Sequence, residues 1–233
     1  KNSKVLHPGY HDYMLSGTVW PDTNVIRKSA RLKFTNNEFA YNYGTLIEYG
    51  GRHWVDANSL IYENNYFHHA INHMWGNNGG PIVRGQGNLV ALKNTVVQYG
   101  YGGLGRPGSN NQFELNFIGG SHYHSDTGGI TINQAVSNNV VNRNWITHHR
   151  ANGIRFDGHP AGVGQIASYN VGWQNYAVAL KAKGDQHKLH NNTLFANGED
   201  LATWRGKFYG YQQATSGPSV DILRNSEKYK NDS

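Results

Sequence analysis

The sequence predicts an all-β fold, a right-handed parallel β-helix (solenoid) of about seven coils. Three observations predict it: a short pattern that recurs with a period in the twenties, alternation of apolar and polar residues within its copies, and the composition. The 233 residues include 29 glycines and only 15% charged residues, which is typical of short strands joined by many turns. Helical repeats of this size would show a 3.6-residue period, and a propeller blade would need roughly 40 residues.

The recurring pattern centres on an asparagine between apolar residues. The aligned asparagines are Asn37, Asn65, Asn94, Asn116, Asn144, Asn170 and Asn192. The intervals between them are 28, 29, 22, 28, 26 and 22 residues. Coils of a solenoid stack about 4.8 Å apart, so an inward amide at a bend can donate to one neighbouring coil and accept from the other. We therefore expect a ladder of hydrogen-bonded asparagines along one corner.

A second strand follows each asparagine strand, and its alternation indicates which side chains leave the core. Within residues 153–157 the apolar side chains are expected to point inward, which leaves Arg155 and Asp157 outward. On the next coil, Lys181 and Lys183 are expected to point outward in the same way. The sequence thus predicts that the second strand, and not the asparagine strand, presents chemistry to solvent.

Composition and charge limit the domain organisation and the partners. The chain has no cysteine, which excludes disulfides and thiolate metal sites, and no apolar run approaches the ~18 residues of a membrane span. The net charge of +6 favours an anionic partner, but no recognition motif for nucleic acid accompanies it. We expect one secreted or periplasmic, monomeric domain over residues 1–233. Its segments 1–28 and 206–233 fit the repeat poorly, as terminal caps or severed coils would.

A family resemblance covers nearly the whole chain. Its segments are Asp126-Thr127-Gly128-Gly129-Ile130, Asn144-Trp145-Ile146, Gly153-Ile154-Arg155-Phe156-Asp157-Gly158, Tyr169-Asn170-Val171-Gly172-Trp173 and Asn191-Asn192-Thr193-Leu194-Phe195. They resemble the right-handed β-helix proteins of bacterial carbohydrate degradation, which include glycoside hydrolases and polysaccharide lyases. The resemblance implies action on a polysaccharide. The Asp-Pro-His of mannuronan epimerases and the adjacent aspartates of polygalacturonases are absent.

Two carboxylates stand out as candidates for catalysis. Asp126 precedes the second strand of one coil, and Asp157 lies on the second strand of the next. Glycosidases use two carboxyl groups, about 5 Å apart for retention or about 6.5–9.5 Å apart for inversion. Neighbouring coils supply such an offset if the chain bends at residues 128–129. Alternatively, Asp126 caps its own turn, and Asp157 pairs with Arg155 or His159.

Histidines and cations complete the predicted site. The predicted catalytic residues are Asp157, Asp126, His159 and Arg155, and the predicted substrate-binding residues are His149, Lys181, Lys183 and Arg205. A histidine suits proton transfer near neutral pH, and the cations suit carboxylate or sulfate groups of a glycan. No third metal ligand is fixed by the spacing of the histidines, so we expect no metal site and no cofactor, with a requirement for Ca²⁺ left open. Trp173 is expected to be wedged between coils.

Three functions remain open at this point. We expect an enzyme that cleaves an anionic polysaccharide on the second-strand face, with glycoside hydrolysis favoured. One alternative is a lyase, in which Arg155 neutralises a uronate and a base such as His159 removes a proton. The other is a solenoid without catalysis that binds a glycan or serves as a structural element.

Overall fold

In a computed structural model the chain winds through three β-sheets, named A, B and C. The structure describes residues 3–6, 13–16, 32–42, 45–48, 60–70, 81–84, 87–105, 108–122, 127–133, 136–157, 162–205 and 212–213. Sheet A has 8 strands, sheet B has 9 and sheet C has 7, and no helix occurs among these residues. The all-β prediction is confirmed.

The strands are short, with three to seven residues in nearly all of them. Sheet C contains β3 (Leu32–Thr35), β6 (Leu60–Glu63), β9 (Leu89–Leu92), β12 (Gln112–Glu114), β15 (Val140–Asn142), β18 (Ile166–Ser168) and β21 (Lys188–His190). Sheet A contains β1 (Lys4–Leu6), β4 (Glu38–Asn42), β7 (Tyr66–Ala70), β10 (Thr95–Tyr99), β13 (Phe117–Ser121), β16 (Trp145–Thr147), β19 (Val171–Trp173) and β22 (Thr193–Phe195). Sheet B contains β2 (Tyr13–Ser16), β5 (Thr45–Glu48), β8 (Pro81–Arg84), β11 (Gly102–Gly105), β14 (Gly128–Asn133), β17 (Asn152–Asp157), β20 (Val178–Lys183), β23 (Glu199–Arg205) and β24 (Gln212–Gln213).

The order of the strands makes the fold a solenoid. Each strand of sheet C is followed along the chain by one strand of sheet A and one of sheet B, after which the chain returns to sheet C. Neighbours within a sheet therefore come from successive coils, and the pairings are parallel except for β23 with β24. The fold is a parallel β-solenoid of the right-handed type, the hand that parallel crossovers adopt almost without exception.

Alternation within the strands of sheets A and C decides what fills the interior. The middle position of the sheet A strands places Phe39, Phe67, Val96, Ile118 and Ile146 in register at 0–2% exposure. Like residues thus stack on like from coil to coil, as in Phe39 and Phe67, whose rings are parallel within 11° at 5.2 Å. The apolar interior that the alternation predicts is present.

The predicted asparagine ladder runs along the corner between sheets C and A. The Nδ2 of each of the first six of its seven asparagines, from Asn37 to Asn170, donates to Oδ1 of the next one at 2.9–3.1 Å. The same Oδ1 also accepts the backbone N–H of the preceding asparagine. A second Nδ2 bond reaches a carbonyl oxygen on the coil before, for example from Asn94 to Tyr62 at 2.9 Å. The ladder prediction is confirmed at all seven positions.

The residue before each ladder asparagine adopts the left-handed backbone conformation. These residues are Asn36, Asn64, Lys93, Leu115, Arg143, Tyr169 and Asn191, with φ between 52° and 57°. Most side chains disfavour this region, which asparagine and glycine tolerate best. Because the hydrogen bonds of the ladder fix the asparagine that follows, leucine, tyrosine and arginine also adopt the left-handed conformation here. The corner is therefore imposed by the stacking of coils rather than by local preference.

The other two corners carry ladders that the sequence analysis did not predict. Between sheets A and B, the backbone N–H of His149 donates to Asn175, whose side chain donates to Asn197 at 3.0 Å. Between sheets B and C, the backbone N–H of Leu89 donates to Asn111, and the rungs are Asn111, Asn139, Gln165 and His187. Histidine and glutamine thus replace asparagine as rungs, so a search for repeated asparagine alone does not find these corners.

Candidate functional site

Three of the predicted site residues meet on the outer positions of sheet B. An Arg155 Nη2 contacts Asp157 Oδ2 within β17, and Lys183 Nζ of β20 lies 2.5 Å from Asp157 Oδ1. These three residues are called the ionic trio below. Lys181 is in register with Arg155 on the adjacent strand and is half-buried.

The predicted exposure of this face is wrong. Arg155 is 3% exposed, and Asp157 and Lys183 are each 7% exposed. All six residues of β17 are buried, as are five of the six in β14. Alternation tells which side chains leave the interior of the solenoid, but it does not tell whether other parts of the chain lie over them. Among the described residues, the second strand of each coil, which lies in sheet B, therefore carries outward polar side chains that are covered by other parts of the protein.

The geometry of the ionic trio limits what Asp157 can do. Each of its carboxylate oxygens contacts a cation, one from Arg155 and the other from Lys183. Neither oxygen is therefore available to donate a proton to a glycosidic oxygen or to attack a sugar, as hydrolysis would require. The arrangement suits a carboxylate that holds two cations in place.

His149 lies in the interior and not on an outer face, so its predicted exposed position is also wrong. Its side chain is fully buried between β16 and β17, and its Nδ1 accepts the backbone N–H of Ala151 at 3.1 Å. Burial lowers the pKa of His149 to about 3. A proton on Nδ1 would also place two hydrogen-bond donors against each other, because the Ala151 N–H already donates to this nitrogen. His149 is therefore a neutral rung of the second ladder.

We expect the stability of the protein to fall as the pH drops from about 6.5 towards 3. The unfolded chain binds a proton at residue 149 near pH 6.5, whereas the folded chain excludes it until about pH 3. The folded-to-unfolded ratio therefore falls by up to about tenfold per pH unit across this window through His149 alone. Replacement by asparagine, the residue found at the next two rungs, should flatten this dependence. Urea unfolding at a series of pH values measures it.

His148→Asn is the matched control, because His148 is exposed and sits in the left-handed conformation that asparagine tolerates. It should keep the pH dependence of the unsubstituted protein. His187, whose pKa burial also lowers, should leave a residual slope in His149→Asn. An equal slope in His149→Asn and in the unsubstituted protein would contradict the assignment.

The remaining predicted residues can be placed only in part. Asp126 and His159 lie outside the described residues, as does the side chain of Arg205 at the end of β23. The bend expected at residues 128–129 stays a prediction, because Asp126 is not described and residues 128–133 form the continuous strand β14. A Cβ on Gly128 would stand 3.1 Å from the Arg155 Cβ, so the start of this strand lies close to the ionic trio.

The outer face of sheet A, in contrast, carries large aromatic side chains that are exposed or half-buried. These residues, called the aromatic strip below, are Tyr66, Phe117, Trp145, Trp173 and Phe195. Trp145 is 57% exposed, Phe195 is 48% exposed and Tyr66 is 41% exposed. Trp173 is half-buried and stacks on Phe195 of the next coil, with ring planes within 7° and centroids 6.3 Å apart, so it contacts the neighbouring coil on the outer face of sheet A.

Two features keep the aromatic strip flat. Phe117 and Trp145 are in direct register on adjacent strands, with Thr95 on the other side of Phe117. The Phe117 ring also extends towards Gly119, where a Cβ would lie only 3.6 Å from its Cε1 atom. Because glycine has no side chain, it leaves room for the ring to cover the sheet.

At one end of the aromatic strip, a carboxylate and two histidines form a hydrogen-bonded chain. Glu38 Oε1 lies 3.2 Å from His68 Nε2, and His68 Nδ1 lies 2.7 Å from His69 Nδ1. The Tyr66 ring stacks on His68 at 4.1 Å, and Lys4 Nζ lies 2.7 Å from Glu38 Oε2. Burial lowers the pKa of His68, and the hydrogen bond with Glu38 opposes this shift.

Alignment of the repeat copies contains the information that would have revealed this face. Tyr66, Phe117 and Trp145 each directly follow a ladder asparagine, and Trp173 and Phe195 each lie three residues after one. The side chains of the residues one and three positions after the asparagine point to the same face of the strand. Alternation in the second strand of each coil, from which the exposed face was predicted, carries no information on these residues.

The described part of the chain contains no cluster of three or more histidine, aspartate and glutamate side chains that could hold a metal ion. Within the same residues, no helix has the length and apolar character needed to cross a membrane. Comparison with protein families, curated proteins and solved structures finds no match to this chain.

Proposed function

We propose that the protein binds a polysaccharide along the aromatic strip of sheet A. The observation that carries the proposal is that five of the six strands from β7 to β22 carry an exposed or half-buried aromatic ring on this face, with Phe117 in register with Trp145 and Trp173 in register with Phe195. Flat rings can stack on the apolar faces of sugars, while Thr95 and Thr193 beside them can hydrogen-bond to hydroxyl groups.

The length of the aromatic strip favours a polymer over a small ligand. From Tyr66 on β7 to Phe195 on β22 the strip crosses five strand spacings of sheet A, which is about 24 Å at about 4.8 Å per spacing. Small-molecule sites are concave and bury most of the ligand surface. A long, flat row of rings presents instead a repeating surface that suits a chain with a repeating unit.

The charges beside the strip favour a glycan over single-stranded nucleic acid. Grooves that bind single strands combine aromatic rings with many cations along the phosphate backbone. Next to the strip, Lys4 contacts Glu38 at 2.7 Å, and Arg143 contacts Glu114 at 3.0 Å. Both cations are paired with carboxylates, unlike the cations that line a groove for single-stranded nucleic acid.

Trp145→Ala is expected to weaken polysaccharide binding at least about tenfold, because aromatic anchors dominate such interfaces. Affinity electrophoresis through gels that contain neutral or uronate-rich polysaccharides provides the measurement. Tyr176→Ala is the control, since Tyr176 is 64% exposed but lies outside the strip. Equal retardation of Trp145→Ala and the unsubstituted protein, no retardation by any polysaccharide, or preferential binding of single-stranded nucleic acid would each contradict the proposal.

A second candidate function is cleavage of an anionic polysaccharide by a secreted or periplasmic enzyme at the ionic trio. The supporting observation is that two cations and one carboxylate meet on neighbouring strands at buried outward positions. Apolar side chains at these positions would avoid the cost of removing charges from water. Because both Asp157 oxygens are engaged, elimination is favoured over hydrolysis at this site. Arg155 and Lys183 would then hold the acid group of the substrate, and the covering residues would have to move aside.

A further inference from the structure

We propose that His69, oriented by His68 and Glu38, is a general base that cleaves a uronate-containing polysaccharide by β-elimination at the end of the aromatic strip. The inference rests on the proposed function, since the same strip would hold the substrate. It differs from the second candidate function in its location, on sheet A instead of sheet B, and in the residue that takes the proton.

The hydrogen bonds determine which nitrogen is basic. Glu38 Oε1 can only accept at neutral pH, so His68 Nε2 carries the hydrogen that joins them. With Nε2 protonated, a neutral His68 accepts at Nδ1, and His69 must donate from its own Nδ1 across the 2.7 Å contact. The unprotonated nitrogen of His69 is then Nε2. In many hydrolases a carboxylate orients one histidine, which acts as the base. Here the carboxylate of Glu38 orients His68, and His68 in turn orients His69.

The exposure of the two rings fits these roles. His68 is 4% exposed and serves to position its neighbour, whereas His69 is partly exposed at the corner of the coil. Tyr41 stacks on His69 with ring centroids 5.0 Å apart, and Tyr66 stacks on His68. These contacts fix both rings in place, and preorganised groups of this kind are what general-base catalysis requires.

The remaining roles of an elimination can be assigned to described neighbours. Lys4, whose side chain is 71% exposed, contacts Glu38 through Nζ, and the same ammonium group can also donate to the carboxylate of the uronate. Tyr66 carries a phenol at the first ring of the strip and can protonate the leaving oxygen. Hydrolysis is less suited, because it needs two free carboxyl groups, whereas both oxygens of Glu38 are already in contact with His68 and Lys4.

The step balances without a further reactant. His69 Nε2 removes the proton from C5 of the uronate, and the electron pair forms a double bond between C4 and C5. The bond from C4 to the bridging oxygen breaks, and that oxygen takes the phenolic proton of Tyr66. The imidazolium of His69 then loses its proton to solvent and the phenolate of Tyr66 regains one. The products are a new non-reducing end with an unsaturated uronate and a shortened chain.

The test is to incubate the full chain with polyuronates and follow the ultraviolet absorbance of the unsaturated product. His69→Ala should lower kcat at least about 100-fold while leaving binding to the same polymer unchanged, and added imidazole should restore part of the activity. Alanine is compatible with this corner, since Ala196 occupies the equivalent position with φ of 53°. His148→Ala is the matched control, an exposed histidine at the same corner position three coils away, and should retain full activity.

Glu38→Gln tests the positioning role. It should lower kcat about tenfold with little change in KM and displace the pH–rate profile, which loss of a purely structural contact would not do. Polymer binding without formation of the unsaturated product would overturn this inference and leave the proposed function standing. Product formation that survives in His69→Ala but is lost in the folded fraction of Asp157→Asn would transfer catalysis to the ionic trio, and absence of binding would refute the proposed function itself.

Discussion

Asn144→Leu is expected to lower the free energy of unfolding by several kcal/mol. Asn144 is fully buried in the middle of the ladder, where its Oδ1 accepts two bonds from Asn116 and its Nδ2 donates to Asn170 and to the Phe113 carbonyl oxygen. Leucine would leave these partners unsatisfied in the interior, at about 1–3 kcal/mol for each buried group. Urea denaturation followed by circular dichroism gives the change.

Gln112→Leu is the matched control for this substitution. It also replaces an amide side chain by leucine, but Gln112 is exposed on sheet C, where it donates to Glu114 at 2.9 Å. The expected change is within about 0.5 kcal/mol. An Asn144→Leu protein as stable as Gln112→Leu would show that the ladder contributes nothing at this coil.

Asp157→Asn is expected to destabilise the fold by about 3–5 kcal/mol, because it removes the carboxylate from a buried group of charges and leaves Arg155 and Lys183 near one another. The same substitution should leave binding to the aromatic strip intact in the fraction that folds. Thermal denaturation combined with gel retardation on polysaccharide separates the two effects.

Simultaneous replacement of the ionic trio, as Arg155→Met, Asp157→Leu and Lys183→Met, is the companion experiment. Buried ion pairs exchanged for apolar groups of similar size are often neutral or stabilising, so this variant should regain the stability that Asp157→Asn loses. If cleavage takes place at the ionic trio, the triple variant folds but no longer cleaves. A triple variant less stable than Asp157→Asn would show that the charges are needed for folding and would weaken the case for a functional role.

The coil repeat and the first ladder could be predicted because they depend on distances along the chain, whereas the division of each asparagine segment into a strand of sheet C and a strand of sheet A was not predicted. Every coil must place its bend over the previous one, so each ladder residue recurs after one coil, and asparagine is conspicuous in the sequence. The rungs of the other corners were missed since His149, Gln165 and His187 do the same work with different side chains. A ladder needs a buried acceptor at each rung, which several residue types provide.

The sequence by itself determined the fold class, the corner ladder from Asn37 to Asn192, and which side of the second strand of each coil a residue occupies. These properties are local or repeat with the coil. Only the tertiary structure decided that Arg155 and Asp157 are covered, and that Glu38 meets His68 from a strand one coil away. The physical reason is that exposure and pairing depend on which other segment comes to lie against a residue, and no periodicity in the sequence records it.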